Sequence, residues 1–126
     1  MQKDNIINFL NKNPELTYKG LEWNKKDPRY EQDRASLYKN LDEIVKCIEW
    51  LDRFYVYSNR KKDETNSYVL KHYVEKYSKE YISNGSFVTA YLMKDYEFKS
   101  ETDNPNIFIR LQQKPLEDHR ILYPSR

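Results

Sequence analysis

The chain is poor in the residues that hold a small domain together from outside its core. A single cysteine, Cys47, rules out an internal disulfide and any cysteine-rich zinc site. The two histidines, His72 and His119, stand far apart and offer no metal-ligand spacing. There is no glycine-rich phosphate loop, since the chain has only two glycines. No stretch approaches the ~20 apolar residues of a membrane span. The opening Met-Gln-Lys-Asp-Asn-Ile-Ile-Asn has no apolar run, so no signal peptide is expected. Net charge is only +2, from 22 basic and 20 acidic residues, which argues against a binder driven by one strong field. These absences point to a soluble protein of a reducing, cytoplasmic setting, without cofactor or metal.

Tyrosine is abundant instead: 12 of them, against five phenylalanines. A ring with a hydroxyl suits half-buried positions at the edge of a modest core, and it also suits contact surfaces. At 126 residues the chain is expected to form one domain.

Along the chain, Asn5 to Leu10 reads as a short helix that Asn13-Pro14 ends. Residues 14–26 show no dominant period. Asp27-Pro28 is helix-start chemistry. From there Leu37, Leu41, Ile44, Ile48, Leu51 and Tyr55 recur at spacings of three and four. This predicts one long amphipathic helix over about 28–55, which packs beneath the domain or forms the seam of a homodimer. Phe54-Tyr-Val-Tyr57 favours a helix end or a short strand. Residues 58–67 are all polar and read as a loop carrying Arg60, Lys61 and Lys62, either simply solvated or contacting phosphate. Thr65, Asn66 or Ser67 then caps a helix over 67–83, with Leu70, Tyr73, Val74, Tyr77 and Tyr81 at helical spacing. Gly85 is expected to end that helix in the left-handed conformation, and Ser86 to cap the next one over 86–95. After Asp95 the period shortens. Tyr96–Lys99 and Ile107–Leu111 alternate around a polar tip at 100–106, which is a β-hairpin. The tail from Gln112, with Pro115 and Pro124, reads as irregular.

The expected architecture is therefore mainly α with a C-terminal β-hairpin, an α+β domain in the order of a winged helix-turn-helix. Residues 1–26 would be an N-terminal extension, 27–111 the domain and 112–126 a tail. In that order, 86–95 is the recognition helix and 100–106 the wing. The candidate nucleic-acid contacts are Arg60, Lys61, Lys62, Lys71, Lys76, Ser86, Thr89, Lys94, Lys99 and Asn104. Their signal is weak: from Lys71 to Lys99 there are five basic and four acidic residues, and the recognition segment holds no arginine or glutamine. Tyr73, Tyr77 and Tyr91 are the candidate protein-binding residues.

The runs Ser67-Tyr-Val-Leu-Lys-His72, Val74-Glu75, Tyr81-Ile-Ser-Asn-Gly85 with Phe87 and Ala90, and Asn104-Pro-Asn106 resemble a family of small uncharacterised phage, plasmid and integrative-element proteins. Ile48-Glu-Trp-Leu51 sits where that family has a similar aliphatic–tryptophan segment. The resemblance covers about residues 44–111. The chain departs from it at Val69, where a small residue is usual, and at Asp95, where a glycine is usual. No activity comes with the resemblance. It implies a mobile element in a bacterial host, and so a second reading beside nucleic-acid binding: an inhibitor that blocks a host defence complex, of the anti-CRISPR type. No nucleophile–base pair is visible, so an enzyme is not expected. Glu97-Phe-Lys99 matches half of a metal-dependent nuclease signature whose upstream Pro-Asp is missing.

Overall fold

A computed structural model describes residues 2–124. Among them are six α-helices and two small sheets of five short strands in all, forming one small α+β domain. In chain order these are α1 (Gln2–Lys12), β1 (Leu16–Thr17), β2 (Gly20–Leu21), α2 (Tyr30–Lys39), α3 (Leu41–Phe54), β3 (Glu64–Asn66), α4 (Ser67–Ser78), α5 (Asn84–Met93), β4 (Lys99–Ser100), β5 (Ile107–Arg110) and α6 (Gln113–Leu122). β1 and β2 pair as a tiny hairpin, while β3, β5 and β4 form an antiparallel sheet in that order. No helix among the described residues is long and apolar enough to cross a membrane.

The long helix expected over 28–55 is two helices. Asn40 breaks it: its backbone leaves the helical region, its N–H bonds the Leu37 carbonyl, and its side-chain amide donates to the Ser36 carbonyl at 2.8 Å. Asp27 does not cap α2 either. Its carboxylate accepts the Arg29 N–H at 2.8 Å in a turn before the helix begins at Tyr30. The inward face of α3 is Ile44, Cys47, Trp50, Leu51 and Phe54, all buried, with Ile48 only partly so. That face packs inside the chain, on α4, α5 and α1.

The polar segment 58–67 is not a plain loop. Its end forms β3, Tyr57 bridges to Leu111, and Ser58 donates its hydroxyl to the buried Asp63 carboxylate at 2.6 Å. Asn66 caps α4 by accepting the Val69 N–H at 3.0 Å. α4 ends at Ser78, earlier than expected, on Lys79 in the left-handed conformation (φ 61°). The tail is not irregular, for residues 113–122 form α6. Pro115 lies in its first turn, where a missing N–H removes no helical bond.

Gly85 has a different task from the one expected. It is the second residue of α5 and has no left-handed backbone; Ser83, not Ser86, caps α5 by accepting the Ser86 N–H at 3.0 Å. Gly85 lies under the N-terminal hairpin, its N–H donating to the Tyr18 carbonyl at 3.0 Å. A Cβ at this position would stand 1.8 Å from the Thr17 carbonyl oxygen. The residue is glycine because two backbones touch there. Gly20, in the same hairpin, has φ 127° and faces the Pro105 carbonyl, so both glycines of the chain serve one junction.

Glu43 of α3 ties that junction together. It accepts the Tyr18 hydroxyl at 2.7 Å, the Ser83 N–H at 2.9 Å and the Ser86 hydroxyl at 3.0 Å. Burial and the Glu43 carboxylate both push the Tyr18 phenol above its ordinary pKa. Ile6, Leu10, Leu16 and Leu37 complete the seal, so α1, β1 and α2 each place a side chain in the core.

Candidate nucleic-acid interface

The N-terminal region covers α5. Residues Asn84 to Tyr91 are all buried, although three of them have polar side chains capable of reading a base. Ser86 and Thr89 were candidate contacts on an exposed recognition helix. Both are fully enclosed and reach no ligand. Asn84 is likewise occupied, donating to the Lys19 carbonyl at 2.8 Å.

Several other expected contacts are held by neighbours. Lys71 is only 4% exposed; its ammonium donates to the Ile82 carbonyl at 3.0 Å and to Glu75 at 3.3 Å, between the rings of Tyr68 and Tyr81. Burial disfavours the charge on Glu75. The Ile82 N–H, His72 and Lys71 outweigh that and hold its pKa below the usual 4.5. Lys94 is paired with Asp52, which raises its pKa. Asn104 shapes the hairpin turn: its side-chain oxygen accepts the Asn106 N–H at 2.9 Å, and its carbonyl accepts the Trp23 indole N–H at 2.9 Å. Lys76 is exposed on α4, over the Tyr73 ring. The candidate protein-binding tyrosines also pack internally. Tyr91 is buried and donates to the Glu97 carbonyl. Tyr73 lies against Trp50 and His119, and Tyr77 against Phe54 and Tyr123, so α6 largely covers both.

What remains open is the outer face of the β3–β5–β4 sheet. Alternation along β5 sends Ile107 and Ile109 into the core and turns Phe108 and Arg110 outward. By register Phe108 lies between Asn66 of β3 and Lys99 of β4, and Arg110 lies opposite Glu64, 3.4 Å from its carboxylate. Tyr57 flanks this face, 45% exposed, and Phe98, 43% exposed, stands at its edge beside Lys99 with its ring 6.5 Å from that of the buried Tyr91. Together with Lys99, Glu64 and Glu97 these side chains line a groove of about 120 Å³.

At Tyr57 the groove meets a larger cavity, about 700 Å³, lined by Ser58, Asn59, Arg60, Lys62, Asp63 and the first residues of α6, Gln112 to Lys114. Its wall is fixed. Gln112 donates its N–H to the Val56 carbonyl at 2.7 Å, Arg110 reaches the Asn59 carbonyl at 3.2 Å, and the Arg60 N–H meets the Ser58 hydroxyl at 3.2 Å. Gln112 gives α6 no side-chain cap, so the positive end of the helix faces the same space. Arg60, Lys62 and Lys114 therefore converge on one concavity, Arg60 3.8 Å from the Asp63 carboxylate and Lys114 3.0 Å from Asp118, and the exposed Lys61 lies beside it.

Of the residues singled out from sequence, Arg60 and Lys62 line the cavity with Lys61 beside it, and Lys99 lines the groove. Tyr57, Phe98, Phe108, Arg110 and Lys114 were missed. The alternation of 107–111 already marked Phe108 and Arg110 as outward, whereas Lys114 lay in a segment read as irregular. Glu97 and Lys99 flank Phe98 on the open face, and no three His, Cys, Asp or Glu side chains among the described residues cluster to hold a metal. The chain matches no family model, no curated protein and no solved structure.

Proposed function

We propose that this protein binds nucleic acid, using a winged-helix-like scaffold whose sheet face, rather than its second helix, makes the contact. The order α3, β3, α4, α5, β4, β5, with the sheet ordered β3–β5–β4, supports the winged-helix likeness. The observation that carries the functional reading is the convergence of Arg60, Lys62 and Lys114 on one cavity that opens onto exposed aromatics. Cations tracking a backbone beside stacking rings are what nucleic-acid surfaces require. The setting we infer is a mobile element acting in the cytoplasm of its bacterial host.

Fluorescence anisotropy with labelled DNA and RNA tests the reading. Affinity should fall steeply between about 50 mM and about 200 mM salt. Alanine at Lys62 or Lys114 should lower the salt slope by roughly one each. Lys76→Ala, on another element, should leave it unchanged. Absence of binding at low salt would defeat the proposal.

A second reading, a protein-binding inhibitor of a host defence complex, is supported by Tyr68, Val69 and Tyr81. These lie exposed on and just beyond α4, away from the sheet face. Its test is a photo-crosslinker placed at Tyr81: a specific host adduct that Tyr68→Ala abolishes, with nucleic-acid binding intact, would favour it.

A further inference from the structure

Resting on the nucleic-acid reading, we infer that the ligand of the sheet face is a single strand, whose bases stack on Tyr57, Phe98 and Phe108 while its phosphates run toward Arg60, Lys62 and Lys114. A protein that reads a duplex inserts an element into a groove. Neither element suited to that is free here. α5 is buried beneath the N-terminal hairpin, and the β4–β5 tip exposes Glu101 and Asp103, which repel phosphate. The open face offers rings instead. In a duplex the base faces are already stacked on one another, so an exposed ring gains a base only from an unpaired strand.

The charges are placed to match. Lys99 pairs in register with Phe108, and Arg110 follows two residues along the same strand face, so cations alternate with rings. Most nearby acids are already engaged. Glu64 faces Arg110 at 3.4 Å, Asp63 is buried on the Ser58 hydroxyl and 3.8 Å from Arg60, and Asp118 pairs with Lys114 at 3.0 Å, so among the described residues Lys62 is the cation of the cavity that forms no ion pair. Glu97 is exposed and, among the described residues, forms no ion pair. It stands on the groove wall as a brake on anion binding.

The test is anisotropy at low salt with labelled oligothymidine, alone and annealed to its complement. The single strand should bind at least about tenfold tighter than the duplex. Phe98→Ala and Tyr57→Ala should each weaken single-strand binding by about tenfold, the scale of one lost stack, without changing the salt slope, because no charge is removed. Phe98→Tyr keeps a ring and should recover most of the loss. Glu97→Gln should tighten binding several-fold. Unchanged thermal unfolding of Phe98→Ala would show that its loss of binding is not loss of fold. Equal or tighter binding of the duplex overturns the single-strand inference while leaving the nucleic-acid reading in place. Failure to bind either form overturns both.

Discussion

α5 and the outer sheet face invert the usual relation between polarity and exposure. α5 carries Asn84, Ser86 and Thr89, yet each is buried where α5 packs on α3, α4 and the N-terminal hairpin. The sheet face carries Tyr57 and Phe98, and they stand open. On α5 the Ser86 hydroxyl bonds Glu43 and Ser83 and the Asn84 amide donates to a hairpin carbonyl, so these groups serve the closure of the fold. On the sheet face Tyr57 stands open, while Phe98 sets one edge on the buried Tyr91 ring at 6.5 Å and Phe108 is half-buried. Side-chain type alone therefore points to the wrong helix as the reader, and the packing of residues far apart in sequence decides which surface is available.

The contrast breaks most sharply at Gly85. A methyl group there meets backbone atoms of Thr17 and Tyr18, which no rotamer change can move. Gly85→Ala should destabilise the protein by about 3 kcal/mol, seen as a lower urea midpoint, with amide protection lost first at Tyr18 and its neighbours. Were Gly85 a left-handed terminator, the loss would be nearer about 1 kcal/mol and protection would fail at the end of α4 instead.

The floor of the open face responds to pH. α6, whose first turn lines the cavity, is anchored by His119, fully buried among Trp50, Phe54, Tyr73 and Tyr123. Burial lowers its pKa below the ordinary 6.5, aided by the cations of Lys76, Arg120 and Arg53. The unfolded chain thus takes up the proton first. Stability is full above about pH 6.5 and falls below it, with a slope of at most about 1.4 kcal/mol per pH unit for the one proton. Glu75, whose pKa is lowered from 4.5, contributes stability that is lost only at more acid pH, so the two windows separate. Thermal melts from pH 7.5 to about pH 5 should show the decline, and His119→Phe should flatten it.

Smaller effects lie at the two helix ends where the chain uses the left-handed conformation without glycine. Lys79 (φ 61°) ends α4 and Asp95 (φ 59°) follows α5. Lys79→Gly and Asp95→Gly should each stabilise the fold by up to about 1 kcal/mol, read from the urea midpoint. The Asp95 change tests the open face as well, since Asp95 leads into Tyr96, which stacks on Tyr55 at 4.3 Å beside the groove.

Local periodicity made much of this legible. The apolar spacing of α3 and α4, a helix near 86–95 and the alternation of 107–111 were readable, because each reflects packing along one element, though the helix begins earlier, after Ser83. What was not readable depends on distant contacts. β1 and β2 have two residues each, too few for a period. The role of Gly85 is set by Thr17 and Tyr18, and both ways of using a glycine look alike in sequence. Pro115 read as a breaker because its place in a first turn is visible only once Gln112 is fixed to Val56. The loss of Ser86, Thr89 and Lys71 as contacts, and the gain of Lys114, follow from the same long-range closures.

On the proposed function, the sheet face contacts the ligand while α5 stays covered. Residue-resolved amide hydrogen exchange, with and without saturating oligothymidine, tests it directly. The prediction is added protection over 57–63, 98–100 and 108–114, with residues 84–91 unchanged. Altered exchange at 84–91 together with loss of protection at 16–20, meaning that the cover lifts to free α5, would contradict it.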